Sequence, residues 1–169
     1  MKIAIIGYSG SGKSTLAGRL AEYYDIPVLH FDRVQFRPNW EIRPQASKEI
    51  MTKVFLDLHD SWVIDGNYSK LFFERRMEEA DVVVLMLFNR LSCLYRVWRR
   101  YRKYKNKTRP DMGEGCTEKL DWEFVKWERT VKYVCLMMPT PIEHTKQAKP
   151  GICLLISQTM VYPTTQTLR

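Results

Sequence analysis

The feature that most constrains this chain is a glycine-rich segment near its start. Residues 7–14 read GYSGSGKS, which matches the Walker A pattern GxxxxGK[ST] at every fixed position. An apolar run at 2–6 precedes it, and residues 13–24 have the apolar spacing of a helix. Glycines let successive backbone N–H groups point into one anion-sized hollow, to which the following helix adds its positive end. The segment therefore predicts a phosphate-binding loop between a strand and a helix.

The residue types in this loop are those that a nucleoside triphosphate requires. The Lys13 ammonium can reach the β- and γ-phosphates, and the Ser14 hydroxyl can hold Mg²⁺. ATP and Mg²⁺ are therefore the predicted cofactors, and no NKxD motif for guanine is present. The alternative is a chance Gly/Ser-rich turn. The residues predicted to contact the nucleotide are Gly7, Tyr8, Ser9, Gly10, Ser11, Gly12, Lys13, Ser14 and Thr15.

Strand-like and helix-like patterns alternate along the first 129 residues. Apolar runs at 2–6, 27–31, 62–64 and 81–88 predict strands, and helical spacing predicts helices over 13–24, 45–60, 69–80, 91–105 and 118–129. In the helix over 45–60, Ile50, Val54 and Leu58 recur every four residues, with Met51 and Phe55 beside them. This alternation predicts an α/β fold, a parallel β-sheet flanked by helices, whose ligand lies at the carboxyl ends of the strands.

Two aspartates follow strands at that predicted edge. Asp32 comes just after the second strand, and Asp65 comes just after the third, followed by Gly66 and Asn67. We expect Asp32 to accept a proton from the substrate, and Asp65 to join Ser14 in holding the metal ion. Asp65, Gly66 and Asn67 are also predicted to bind the substrate. The alternatives are an N-cap or turn carboxylate for Asp32 and an Asp-Gly turn for Asp65.

Most of the positive charge belongs to one segment. The net charge is +8, yet residues 90–109 hold nine basic residues and no acidic ones, which leaves 18 basic and 19 acidic residues elsewhere. We interpret 90–117 as an arginine-rich lid in which Arg96 and Arg100 stabilise the transferred phosphate, while Arg99 and Arg109 bind substrate. The alternatives are a solvated basic face and a nucleic-acid patch, although no recognised DNA-binding motif is present.

Arginines and an aromatic residue also follow Asp32. Arg37 and Trp40 suit a base or sugar stacked beside a phosphate, so both are predicted to bind substrate. The alternative is a surface loop that Trp40 pins to the core.

The rest of the composition excludes several classes of protein. No apolar run approaches the roughly 18 residues of a membrane-spanning helix, and the start of the chain has no signal-peptide shape, so we expect a cytoplasmic protein without membrane contact. The four cysteines include no CxxC pair, which argues against a zinc site or a disulfide framework.

The last part of the chain differs from the rest. Residues 133–169 contain four charged residues, and prolines interrupt them without helical periodicity. We interpret 1–132 as the core and 133–169 as a divergent tail. The apolar run at 151–156 predicts a fifth strand beside the first, and we expect the remaining tail to be loosely packed, which would weaken activity.

Together these motifs resemble small P-loop kinases related to adenylate kinase, and are most similar to the bacterial family labelled "DNA topology modulation protein". The resemblance covers about residues 1–127 and rests on the Walker A pattern, on Phe31-Asp32 with Pro38-Asn39-Trp40, on residues 63–68 (VIDGNY) and 109–115 (RPDMGEG), and on Leu120-Asp121-Trp122. It implies a five-stranded parallel sheet and transfer of the ATP γ-phosphate to a nucleoside, nucleotide or similar small polar acceptor. It also implies lid roles for Arg96, Arg99, Arg100 and Arg109. The alternative is a nucleic-acid-binding regulator that uses its P-loop as a nucleotide switch.

Overall fold

The computed structural model describes residues 1–109, 111–113, 115–118, 152–157 and 161–163. The strands in these ranges are β1 (Lys2–Gly7), β2 (Val28–His30), β3 (Trp62–Asp65), β4 (Val82–Leu87), β5 (Ile152–Ser157) and β6 (Val161–Pro163). The α-helices are α1 (Lys13–Tyr24), α2 (Phe31–Gln35), α3 (Gln45–Leu58), α4 (Phe73–Glu79) and α5 (Arg90–Tyr104), with a short 3₁₀ turn at Pro38–Trp40.

The strands form one sheet in the order β2-β3-β1-β4-β5-β6. The first five strands in this order pair in parallel, and β6 runs antiparallel to β5. Asp65 is in register with Ile5 on one side and with His30 on the other, so the carboxyl ends of β1, β2 and β3 meet at one edge. The predicted α/β architecture, a parallel sheet flanked by helices, is confirmed.

The last parallel strand lies in a different place from the one predicted. The apolar run expected to form a strand at 151–156 is β5, but β5 pairs with β4 and not with β1. The reason is that β3 and β4 already occupy both edges of β1. The rest of the predicted tail, and nearly all of the helix predicted at 118–129, fall outside the described residues.

The core lies on both faces of the central strands. Ala4 and Ile64 point to a cluster with Phe31, Leu56 and Trp62, whereas Ile5 and Val63 point to a second cluster. Burial of both faces explains why these strands are apolar without alternation. Within the described ranges, no helix combines the length and apolar character needed to cross a membrane.

The face of α3 that is buried differs from the face that the sequence pattern predicts. Ile50, Val54 and Leu58, which form the apolar stripe of this helix, are 63%, 50% and 73% exposed. The opposite side of the helix is buried instead, and it consists of Lys48, Thr52 and Leu56. Leu56 packs into the core below β3, whereas Lys48 lines a cavity. The buried side of α3 therefore borders the core at its C-terminal half and the cavity at its N-terminal half, and the cavity accepts a polar side chain such as Lys48.

The helix predicted over 69–80 begins later than expected, at Phe73. Phe72 adopts a left-handed backbone conformation with φ of 50°, which an L-residue cannot propagate into a helix. The residues between β3 and α4 therefore form a loop, and that loop carries side chains of the candidate site.

Candidate active site

One cavity of about 1120 Å³ opens at the carboxyl edge of β1 and β3. Its wall combines the loop after β1, the segments that follow β2 and β3, the start of α3 and one face of α5. The charged side chains that line it are Lys13, Asp32, Lys48, Asp65, Lys70, Arg96, Arg99, Arg100, Lys103, Arg109 and Asp111. Of the predicted site residues, Ser9, Gly10, Gly12, Ser14, Thr15, Gly66 and Asn67 also line it.

The start of the glycine-rich loop is clamped to the segment after β3. The Gly7 backbone N–H donates to Asn67 Oδ1 at 3.0 Å, and Asn67 Nδ2 donates to the Gly7 carbonyl at 2.7 Å. The Lys13 ammonium folds back over the same loop and donates to the carbonyls of Gly7 and Tyr8, at 2.9 and 2.8 Å. These carbonyl bonds hold the ammonium at the cavity wall, where a phosphate oxygen could replace them.

The other side of the loop packs against α5 at Gly10. Its φ is +72°, and a Cβ atom there would lie 2.6 Å from the Cys93 carbonyl oxygen and 2.7 Å from Val97 Cγ2. Only glycine permits this approach, because any side chain would overlap the helix. Gly10 therefore sets how close the basic helix lies to the loop.

Two side chains whose oxygen atoms could bind a metal ion, Ser14 and Asp65, lie side by side where α1 meets β3. Ser14 Oγ donates to Asp65 Oδ2 at 2.7 Å, and His30 Nδ1 lies 2.6 Å from Asp65 Oδ1. Asp65 is 5% exposed, so these contacts fix a nearly buried carboxylate. Hydroxyl and carboxylate oxygens suit Mg²⁺, which keeps several waters and takes few protein ligands. The pair Ser14–Asp65 therefore fits the predicted metal role, although the described residues contain no cluster of three or more His, Cys, Asp or Glu side chains.

The second strand-end carboxylate has a different partner. Tyr68 OH donates to Asp32 Oδ1 at 2.8 Å. Burial, together with the negative charge of Asp32, raises the pKa of Tyr68, so the phenol keeps its proton and remains a donor. Asp32 lies in the first turn of α2 and not at its N-cap, which is His30. The pair presents an oriented carboxylate to the cavity.

A fully buried arginine shapes the loop that carries Asn67 and Tyr68. Arg76 donates to the carbonyls of Leu71, Gly66 and Tyr68 at 3.0, 3.2 and 2.8 Å. Its guanidinium lies 4.4 Å from the centre of the Phe31 ring. Burial lowers the pKa of Arg76 to about 10, so it remains protonated at neutral pH. Arg76 therefore fixes the backbone conformation of this loop.

Three of the four predicted lid arginines fall into two groups, and the fourth, Arg99, lines the cavity with its guanidinium 6.0 Å from the Tyr95 ring centre. Arg96 Nη1 donates to the Ser11 carbonyl at 3.3 Å, and its guanidinium stacks 4.4 Å from the Phe88 ring centre, beside the glycine-rich loop. Arg100 and Arg109 instead share the carboxylate of Glu118, with N···O distances of 2.8 and 2.6 Å. Glu118 is 5% exposed, and its two ion pairs link α5 to the segment that follows it.

Arg37 and Trp40, which the sequence predicts to bind substrate, are not among the residues that line this cavity. Trp40 Nε1 donates to the Thr117 carbonyl at 2.7 Å, and Arg37 pairs with Glu41 at 3.3 Å. The segment between α2 and α3 is a closed loop, in which the Arg37 N–H donates to the Glu41 carbonyl at 2.8 Å and the Arg43 N–H donates to the Gln35 carbonyl at 2.9 Å. Trp40 pins this loop, as the alternative interpretation proposed, but to the segment at 115–118 and not to the core.

Sequence reasoning missed several residues of the site. His30, Gln35, Lys48 and Lys70 were not singled out, although Lys70 follows the Asp-Gly-Asn-Tyr stretch closely. The signal available for His30 was its place at the end of a predicted strand, next to Phe31-Asp32. Nothing in the helical pattern of residues 45–60 marked Lys48.

No protein-family model and no curated protein matches this sequence. Among solved structures, an uncharacterized protein from Eubacterium ventriosum is similar with 18% identity over 93% of this chain and 89% of its own, at a TM-score of 0.45. A deoxyadenosine kinase from M. mycoides, solved with the products dCMP and dCDP bound, shares 11% identity over 59% of this chain and 71% of its own, at a TM-score of 0.35. Both TM-scores lie below 0.5, so neither similarity assigns a function to this chain.

Proposed function

We propose that this protein is an ATP-dependent phosphotransferase that moves the γ-phosphate of ATP to a nucleoside, nucleotide or similar small polar acceptor. The observation that carries the proposal is the joint placement of Lys13, Ser14–Asp65 and Asp32–Tyr68 along one cavity. A phosphate-binding loop next to a carboxylate that can accept a proton is what transfer to a hydroxyl requires.

The donor end of the cavity is formed by the glycine-rich loop and the start of α1. MgATP supplies the phosphoryl group and, through the metal ion, part of the positive charge that stabilises it in transfer. Lys13 exchanges its bonds to the Gly7 and Tyr8 carbonyls for phosphate oxygens, and the backbone N–H groups of the loop bind the remaining ones. Ser14 and Asp65 hold the metal or its water shell.

At the acceptor end, Asp32 orients the attacking group. Tyr68 engages the Oδ1 atom of this carboxylate, and Oδ2 is the proton acceptor in our proposal. Because the Tyr68 hydroxyl keeps its proton, it holds the carboxylate in one orientation throughout the reaction. Arg96 and Arg100 provide positive charge along the α5 wall, where negative charge develops on the transferred group.

The test is a comparison of Lys13→Ala with the unaltered protein. The unaltered protein should bind ATP by calorimetry at millimolar Mg²⁺ and should consume ATP with at least one acceptor in a metabolite panel. Lys13→Ala should lower transfer by about 10²–10³-fold, the effect of removing one preorganised charge. Lys53→Ala is the matched control, since Lys53 is exposed on α3 and pairs with Asp57. Failure of the unaltered protein to bind MgATP would contradict the proposal.

A second candidate function is nucleic-acid binding, which one observation on α5 favours. Tyr95 and Trp98 stack at 6.0 Å between ring centres and are 58% and 43% exposed, and Arg102 lies 5.0 Å from the Trp98 ring centre. Exposed aromatics interleaved with arginines suit stacked bases beside phosphates. Affinity for single-stranded DNA should then fall steeply as salt rises. Absence of any gel shift at low salt would remove this candidate.

A further inference from the structure

Lys48 is a nearly buried cation whose partner is neutral. It is 8% exposed, lines the cavity, and donates from Nζ to Gln35 Oε1 at 3.0 Å. The ion pairs found within the described part of the chain do not include Lys48. A buried ammonium without a negative partner is unfavourable, because the amide dipole replaces only part of its lost hydration.

The orientation of α3 is a second observation that connects Lys48 with the cavity. A rotation that followed the sequence pattern would bury Ile50, Val54 and Leu58 and would turn Lys48 toward solvent. The helix instead exposes that stripe and directs Lys48, which precedes the buried Thr52 by one turn, at the cavity. Departures from local pattern of this kind are typical of positions that serve a site.

Lys48 lies at the acceptor end of the cavity and not at the glycine-rich loop. Its partner Gln35 follows Asp32 by three residues on α2, so the two side chains share one face of that helix, about 5–6 Å apart between Cβ atoms. Gln45, one turn before Lys48, donates to the Lys70 carbonyl at 3.3 Å. The start of α3 and the loop after β3 therefore form a single wall beside the proposed proton acceptor.

We propose that Lys48 binds an anionic group of the acceptor, so that the acceptor carries a phosphate or a carboxylate and is not a neutral nucleoside or polyol. This inference rests on the proposed function and deepens it. The anion supplies the negative partner that the described residues do not give Lys48, and Gln35 donates from its amide nitrogen to the same group after rotation of the amide. Asp32 then faces the oxygen that receives the phosphoryl group.

The competing explanation is that the Lys48–Gln35 hydrogen bond only joins α3 to α2. Lys48→Met separates the two, because Met keeps most of the volume and removes the charge. If the bond were structural, Lys48→Met would lower the melting temperature. If Lys48 serves a ligand, removing an unbalanced buried charge should leave the melting temperature unchanged or raise it.

The experiment that tests the anion-binding role of Lys48 has two arms. In the first, calorimetry measures MgADP binding to the unaltered protein, and absence of binding rejects the proposed phosphotransferase function itself. In the second, with MgADP saturating the donor end, inorganic phosphate and acetate are titrated separately into the unaltered protein, Lys48→Met, Lys48→Arg and Lys53→Met. Lys53→Met is the control, since Lys53 is an exposed lysine of the same helix.

We expect at least one of the two anions to bind the unaltered protein and Lys53→Met equally, and Lys48→Met at least about tenfold more weakly, the effect of one charge-assisted hydrogen bond. Lys48→Arg should retain part of the affinity. Tighter binding of phosphate identifies a phosphorylated acceptor, and tighter binding of acetate a carboxylic acid. If MgADP binds but neither anion does, or if Lys48→Met binds the anion unchanged, the inference about Lys48 is overturned while the proposed function stands.

Discussion

Replacement of Arg76 offers the sharpest test of how the site is held together. Arg76 is 0% exposed, and its three hydrogen bonds all go to backbone carbonyls of the loop between β3 and α4. That loop carries Asn67, which clamps the glycine-rich loop, and Tyr68, which orients Asp32. The change Arg76→Met removes all three bonds at once, and we expect it to loosen the loop and to lower the free energy of unfolding.

The magnitude follows from two opposing effects. A hydrogen bond from a charged donor contributes about 1.5–3 kcal/mol, so the three together contribute about 4.5–9 kcal/mol. Against this, burial lowers the pKa of Arg76 from 12.5 to about 10. At about 1.36 kcal/mol for each pKa unit, this corresponds to a penalty of roughly 3 kcal/mol for the charged form at neutral pH. The difference predicts that Arg76→Met destabilises the protein by about 3 kcal/mol, within a range of about 1–6 kcal/mol.

Urea denaturation followed by tryptophan fluorescence measures this loss as a lower midpoint at an unchanged slope. Arg75→Met is the matched control, because Arg75 is one-third exposed and its pairs with Asp57 and Glu79 lie at the surface. Exposed pairs contribute about 0–1 kcal/mol. Arg76→Lys should cost at least as much as Arg76→Met, since lysine lacks the planar fork and its ammonium is more strongly hydrated. A loss below about 1 kcal/mol for Arg76→Met, or an equal loss for Arg75→Met, would refute this account.

Two further predictions address the glycine-rich loop and the proposed proton acceptor. Gly10→Ala should destabilise the protein by about 1–3 kcal/mol, because its Cβ would overlap the Cys93 carbonyl. Gly18, in contrast, is a helical position with open space around it, so Gly18→Ala should stabilise the protein by about 0.5–1 kcal/mol in the same urea assay. Burial and Asp32 raise the pKa of Tyr68, so the folded state keeps a proton that the unfolded state releases above about pH 10. Stability should therefore fall as the pH rises past about 10, and urea titrations at about pH 9 and 11 should show a smaller fall for Tyr68→Phe. Equal falls in the two proteins would count against the Tyr68–Asp32 bond.

Several elements were predictable because their signals are local. The GxxxxGK[ST] spacing lies within eight consecutive residues, and the apolar run that forms β4 needs no partner to be recognised. The parallel sheet followed from the alternation of such segments, and the strand-end positions of Asp32 and Asp65 followed from the parallel sheet. Boundaries were less predictable, as in α4, where a left-handed Phe72 delays the start of the helix.

The sequence by itself therefore determined the glycine-rich loop, the order of β1 to β4 along the chain, and the edge of the sheet where polar side chains gather. The tertiary structure alone decided which of those side chains meet. The contacts Asn67–Gly7, Tyr68–Asp32 and Ser14–Asp65 join residues 36 to 60 positions apart, and they depend on the register between strands. The rotation of α3, which buries Lys48 and exposes Ile50, contradicts the apolar stripe read from the sequence, although Phe55 beside that stripe packs against the core. It could not be read from a pattern because the pattern records only which side chains are apolar, whereas the rotation depends on what the rest of the fold places against the helix.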